Sequence, residues 1–368
     1  MIPLIPWLAE RFQVEERTLG LILGIYALMV LLTSLPLGLV SDRRGAGLVL
    51  SAGGGSMAAA AVVIALWPTP LGFLVGRAIQ GLAASAVWTS ALAIASDLGG
   101  SRARGRELGF LFAMSGAGYA IGPSLSGAIT ELWSPALFFW VMAAIWLVNT
   151  ILLLAWRPSL EPGPQPEAGL SEARRQGLKL LLAGIMGVTY SVANFGLLQL
   201  TVPLLLSEKF NLSPLVIGQI FLGNELFLII VRYMAGHWSD YGRRLPLVVG
   251  LSLAALALTG LNLVDRLVWT IPAIFLIEAG FAIMIGASAP LFADGLAEMR
   301  LARLGAGVAF GIFNIFWSIG YLLGAYGGGV ALTALGRSTV LGGIAALAGL
   351  AWLISLAVIM RIGWRNRT

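Results

Sequence analysis

No cysteine occurs among the 368 residues, and histidine occurs once. The first absence excludes disulfides, thiolate chemistry and cysteine-ligated metal; the second leaves no set of imidazoles from which to build a metal site. No cofactor is implied. Charge is scarce as well: Asp, Glu, Lys and Arg make up 11% of the chain, against roughly a quarter of an ordinary soluble domain. No phosphate-cradling loop followed by Lys-Ser/Thr is present, so ATP hydrolysis is not expected, and nothing points to an enzyme. The net charge of +6 is carried by short loops between apolar runs, so no nucleic-acid partner is expected.

What fills the chain is apolar, at 58% of residues. Residues 18–41, 78–96, 108–130, 180–207, 245–264 and 338–360 carry no charge at all. Runs of that length cross a bilayer rather than fill a soluble core. The predicted class is an all-α polytopic membrane protein, with the lipid bilayer as its principal surroundings. Spans are predicted at 17–41, 46–66, 71–96, 105–130, 136–156, 178–206, 213–238, 245–264, 267–294, 304–334 and 338–361.

The chain repeats itself. Gly20, Gly38 and Asp42 recur as Gly218, Gly236 and Asp240, an offset of 198. Gly109, Gly118, Gly122 and Gly127 recur as Gly311, Gly320, Gly324 and Gly329, an offset of 202. Two blocks that each hold their spacing indicate two pseudo-symmetric helical bundles, and parallel repeats of this size mark transporter folds with the substrate site between the halves. The expected division is an N-terminal bundle at 1–156, a linker at 157–177 and a C-terminal bundle at 178–368; Pro158, Pro162, Pro164 and Pro166 mark the linker. The segment 178–210 is a full span, whereas its counterpart at 1–12 reads as the tail of one. A first helix of roughly 20 more residues is therefore expected ahead of Met1.

Orientation follows from the basic residues. With the Asp42 loop inside, sixteen of the 23 Lys and Arg fall in inside segments and five in outside ones. The positive-inside rule then places the loop and the C-terminus in the cytoplasm.

Away from the helix ends, four ionisable residues lie within spans: Arg77, Glu225, Arg232 and Glu278. Each costs roughly 2.5–3.5 kcal/mol on insertion scales, so such groups usually face a cavity and mark function. Burial penalises the charged form of a carboxylate, which suits Glu225 or Glu278 to reversible protonation. A structural pair of one Glu with Arg77 explains the same residues without a functional role. Arg232, nearer a helix end, reads as a snorkelling side chain. Gln80, Tyr190, Asn194 and Asn224 are weaker candidates for substrate binding. Gly118 and Gly122 form a small-xxx-small pattern that permits close helix approach, and Pro123 removes a backbone donor. Ala325 replaces that proline in the repeat, so the bend is expected on one side only.

Gly38-x-x-x-Asp42-Arg43-x-Gly45, with its copy Gly236-x-x-x-Asp240-x-Gly242-Arg243-Arg244, resembles the loop 2–3 signature of the major facilitator superfamily. Arg77-x-x-Gln80-Gly81 is similar to that superfamily's helix 4 signature, and Gly118-x3-Gly122-Pro123-x2-Ser126-Gly127 to its helix 5 antiporter signature, with Ser126 where glycine is usual. The resemblance implies a 12-helix fold whose helices 1, 4, 7 and 10 line a cavity. It implies gating roles for Asp42, Arg43, Asp240, Arg243, Gly118, Gly122 and Pro123; Asp42 can pair with arginines at 102–106 or face a helix N-terminus, and a plain topology anchor at the membrane surface is the blander reading of it. The function it implies is secondary transport in the inner (plasma) membrane by a monomer. Proton-coupled efflux of drug-like compounds or metabolites is favoured, so protons and a small-molecule substrate are the expected partners. A proton-linked importer of a sugar, organic acid or amino acid is the alternative, and a non-transporting membrane sensor is a third reading.

Overall fold

The computed structural model describes residues 3–98, 100–156, 184–241, 244–261, 263–298 and 306–362. Among these residues every regular element is helical. The first half holds α1 (Leu4–Phe12), α2 (Glu16–Arg44), α3 (Ala46–Leu66), α4 (Pro70–Leu98), α5 (Gly100–Leu132) and α6 (Pro135–Trp156). The second half holds α7 (Gly184–Phe210), α8 (Pro214–Tyr241), α9 (Arg244–Leu261), α10 (Leu267–Glu298), α11 and α12 (Arg337–Ile362). We use α11 for the continuous run Ala306–Leu322, Leu323–Gly327 and Gly328–Leu335. Eight of the described helices are long and apolar enough to cross a membrane. The architecture is an all-α, multi-pass membrane fold.

Local chemistry explains the boundaries. Pro70, Pro135 and Pro214 stand at the first positions of α4, α6 and α8, where a missing N–H costs nothing. Gly45 ends α2 at φ 96° and returns its N–H to Ser41 O, a backbone conformation that a side chain would strain. This is why a glycine closes the Asp42-Arg43-Arg44 segment.

The repeat becomes geometry. α3 packs on α4 and α6 as α9 packs on α10 and α12; α2 packs on α4 as α8 packs on α10. Two seams join the halves, α2 with α11 and α5 with α8, and they too exchange under the repeat. α1 and α7 both end on a left-handed residue, Gln13 and Asn211, each at φ 51° and 198 positions apart. α1 is thus the counterpart of the final turns of α7.

The seams are built on glycines. A Cβ on Gly20 would lie 2.5 Å from Ala325 O, and one on Gly218 would lie 2.7 Å from Pro123 O. A Cβ on Gly329 would lie 2.5 Å from Glu16 O, and one on Gly127 would collide with Pro214 O. These two pairs in one seam map onto the two in the other through the offsets 198 and 202.

Among the described residues two stretches are π-helical: Ala193–Thr201 within α7 and Leu323–Gly327 within α11. The second is the repeat counterpart of residues 121–125, which contain Pro123. α5 continues as α-helix through Pro123, whereas its counterpart changes to a π turn at the same level.

Candidate functional site

Arg77 projects from α4 and is 8% exposed. It donates from Nη1 to Gln80 Oε1 at 3.0 Å and from Nη2 to the Tyr321 hydroxyl at 2.8 Å. The spacing of three residues puts Arg77 and Gln80 on one helix face, while Tyr321 belongs to α11 in the other half. Tyr321 in turn donates to Gln199 Oε1 of α7 at 3.1 Å. The guanidinium carbon lies 4.3 Å from the centre of the Tyr26 ring of α2, a cation–π contact. Arg77 thus ties α4 to α2 and α11, and through Tyr321 to α7, using neutral partners only.

Glu278 of α10 is 2% exposed. Its Oε2 accepts from Asn194 Nδ2 at 3.4 Å, and its Oε1 has no partner. The same Asn194 amide reaches the Tyr190 hydroxyl at 3.3 Å. Tyr190 and Asn194 are one helical turn apart on α7. A row of rings runs from this acid towards Arg77. Tyr190 meets Phe281 at 6.3 Å and Trp317 at 5.1 Å, Trp317 meets Phe195 at 5.8 Å, and Phe195 stacks on Tyr321 at 3.6 Å. Asn194, Phe195 and Gln199 lie on the π stretch of α7, a departure from α-helical register that is frequent at functional sites.

Glu225 stands apart from this row. Its carboxylate binds Arg232 Nη1 at 2.9 Å. The two residues are seven apart on α8, two turns along one face, so the expected snorkelling of Arg232 gives way to an intrahelical ion pair. Neither acid pairs with Arg77, so a packing pair of one Glu with that arginine is not made. Arg232 passes Gly116 of α5, where a Cβ would come within 3.8 Å of Nη1. Asn224, next to Glu225, is buried with its Oδ1 unpartnered.

The comparisons with known proteins bear on this geometry. The family model described as Major Facilitator Superfamily matches residues 1–325. The chain belongs to the major facilitator superfamily. Its family and fold are those of membrane transporters, not of enzymes. An uncharacterized MFS-type transporter of Mycobacterium tuberculosis is 24% identical over 337 residues, covering 87% of this chain and 77% of that protein. Multidrug resistance protein 1 of Bacillus subtilis is 22% identical over 341 residues, covering 90% and 84%. Among solved structures, a bacterial homolog of the human lysosomal transporter Spinster, inward-facing and occupied, superposes with a TM-score of 0.74 at 14% identity, over 99% of this chain and 94% of that one. That likeness is one of fold.

In this facilitator, the residues matched to the superfamily's signatures separate into two groups. Arg77 and Gln80 enter the buried network above, and Pro123 forms part of the α5–α8 seam. Gly118 and Gly122 do not supply the expected close approach, because a Cβ on either would meet nothing within 4 Å. The face of α5 turned to α8 carries Pro123, Gly127 and Glu131, four residues apart; a small-xxx-small pattern does not say which face meets a neighbour. Asp42 and Arg43 are exposed at the end of α2. The side chains of Asp240 and of the arginines at 102–106, and Arg243 as a whole, lie outside the described residues, so the expected Asp42 partners do too.

A hollow of about 240 Å³ opens between α1, α2 and α7, lined by Gln13, Glu15, Glu16, Leu204 and Glu208. Glu15 and Glu208 are exposed there, and none of the buried ionisable groups reaches it. The candidate site is the buried row, not this hollow.

Sequence reasoning missed Tyr26 and Tyr321. The repeat held a signal for the second, since Tyr321 is the counterpart of Tyr119 at the offset of 202.

Proposed function

We propose that this transporter couples proton movement to export of a small drug-like or metabolite molecule, with Glu278 as the proton-carrying group. The observation that carries the reading is a carboxylate buried in the middle of α10, held through one oxygen by Asn194 and with the other oxygen unpartnered. Such a group can take up a proton without first breaking an ion pair, which Glu225 cannot do. The name of the Bacillus subtilis relative supports efflux of drug-like compounds.

The two halves act as lobes, 1–156 and 178–368, that rock about the α2–α11 and α5–α8 seams while the bond from Arg77 to Tyr321 is made and broken between them. Asp42 and Arg43, with their copies Asp240 and Arg243, face the cytoplasm and bias which state is populated. The protein sits in the inner (plasma) membrane as a monomer, with its C-terminus cytoplasmic.

Inverted membrane vesicles test the direction and the coupling together. An exporter accumulates substrate in them and collapses an imposed proton gradient when substrate is added, and Glu278→Gln abolishes both effects. Accumulation by whole cells instead, with no flux in inverted vesicles, contradicts export; unchanged gradient collapse in Glu278→Gln contradicts the assignment of the proton.

A further inference from the structure

We infer that the substrate carries an anionic group of the carboxylate class, which docks on the Arg77 guanidinium, with an apolar body laid along the rings from Tyr321 to Tyr190. This rests on the transport reading above and names the substrate class of the same site.

The starting point is an imbalance of charge. Arg77 is 8% exposed, and a buried cation is costly unless paired. Its described contacts are all neutral: the Gln80 amide oxygen, the Tyr321 hydroxyl and the Tyr26 ring. Among the described residues, no carboxylate comes within ion-pair reach of it, and its Nε has no partner at all. A guanidinium offers five N–H donors in a planar fork. Two of these are used by the two hydrogen bonds, so donor capacity remains for an oxyanion.

The other acids do not compensate. Glu225 is committed to Arg232. Glu278 is held by Asn194 beside Tyr190, and three ring-to-ring contacts separate Tyr190 from the Tyr321 that touches Arg77. An incoming anion supplies the missing countercharge. The same rings give its body an apolar surface, with Tyr321 and Phe195 already stacked. The anion also meets the halves where they join, since Arg77 lies in one and Tyr321 with Gln199 in the other. Its arrival competes for the bonds that hold Arg77 to Tyr321, which gives the substrate a means of altering the contact between lobes.

Three probes on one skeleton separate this class from its rivals: 2-naphthylacetate, 2-naphthylacetamide and 2-naphthylethylamine, measured by thermal stabilisation of the purified full-length protein at one pH. The carboxylate is expected to bind at least about tenfold more tightly than the amide or the amine, the worth of one charge-assisted hydrogen bond. Arg77→Lys keeps part of that preference, and Arg77→Gln removes it at unchanged helicity and monodispersity. An amine that ties or wins, no stabilisation by the carboxylate, or a preference that survives Arg77→Gln overturns the inference. Because wild-type protein alone ranks the probes, a variant that fails to fold leaves that ranking, and the test it makes, intact. Amine binding that depends on Glu278 overturns the anionic class while leaving the transport reading in place.

Discussion

Leu215, at the start of α8, donates its backbone N–H to Glu131 Oε2 at 2.9 Å, across the seam from α5. Its counterpart 198 residues earlier, Arg17 at the start of α2, donates to Thr333 Oγ1 of α11 at 3.1 Å, and Thr333 is the counterpart of Glu131 at the offset of 202. Each half therefore caps a helix of the other. The first N–H groups of a helix have no intrahelical acceptor, so these bonds satisfy donors that would otherwise need water. They also exist only while the two seams stay closed at this end. The two caps differ in kind. Glu131 offers a carboxylate to a helix N-terminus, where negative charge is favoured. Thr333 offers a hydroxyl, whose own hydrogen faces two acceptors, Gly329 O at 3.1 Å and Glu16 Oε2 at 3.3 Å.

Removing the Glu131 cap should loosen the α5–α8 seam. Glu131→Ala is expected to cost about 1 kcal/mol, the usual worth of a cap, whereas Glu131→Gln keeps an acceptor and most of that energy. The natural absence of cysteine allows a single pair of spin labels to be introduced across the seam. The distance distribution should broaden for Ala and stay near wild type for Gln. Identical distributions for all three proteins would show that the bond does not hold the seam.

The seam glycines should tolerate nothing larger, and the open ones should. Gly218→Ala places a methyl 2.7 Å from Pro123 O, and overpacking of this kind costs about 1–3 kcal/mol. Gly118→Ala meets open space and should leave thermal stability within about 0.5 kcal/mol of wild type. Reversal of that order in a detergent melting series contradicts the packing described for α5.

For Glu225 the expectation is structural coupling to Arg232. Glu225→Gln strands the arginine, and Arg232→Gln strands the acid, so each alone should lower the yield of folded protein. The double variant should recover a good part of it, with a coupling energy of about 1 kcal/mol. Losses that simply add would mean that the 2.9 Å pair contributes nothing.

These sites differ in how far they could be read from the chain alone. The offsets 198 and 202 were visible as glycines and an aspartate, and they predict which helix contacts are duplicated, down to Gly20 with Ala325 and Gly218 with Pro123. Arg77, Glu225 and Glu278 stood out because a charge inside an apolar span is rare. The Glu225–Arg232 pair had a signal in its spacing of seven, which places both on one face. Faces were the harder matter. Nothing in the pattern of Gly118 and Gly122 says that α5 turns residues 123, 127 and 131 to α8 instead. The π turn at Leu323–Gly327 was not legible either, because a change of backbone register depends on which neighbours accept the displaced carbonyls. Tyr26 and Tyr321 look like ordinary aromatic residues in spans until the fold brings both against Arg77.

Tyr321→Phe isolates the hydroxyl from the ring. The stack on Phe195 survives, while the bonds to Arg77 and Gln199 at 2.8 and 3.1 Å are lost. Folding should be little changed, because the ring stays packed, but Arg77 loses one of its two hydrogen bonds. Transport measured under an imposed gradient should fall several-fold. A rate equal to wild type removes the Arg77–Tyr321 contact from the transport cycle.

The most direct test of the account separates carrier movement from proton coupling at Glu278. In proteoliposomes, Glu278→Gln should still exchange labelled for unlabelled substrate across the membrane at equal pH, because the halves can rock with a neutral side chain in place. The same variant should fail to accumulate substrate when a pH gradient is imposed. Accumulation at the wild-type level in that variant, driven by the pH gradient alone, contradicts the central claim.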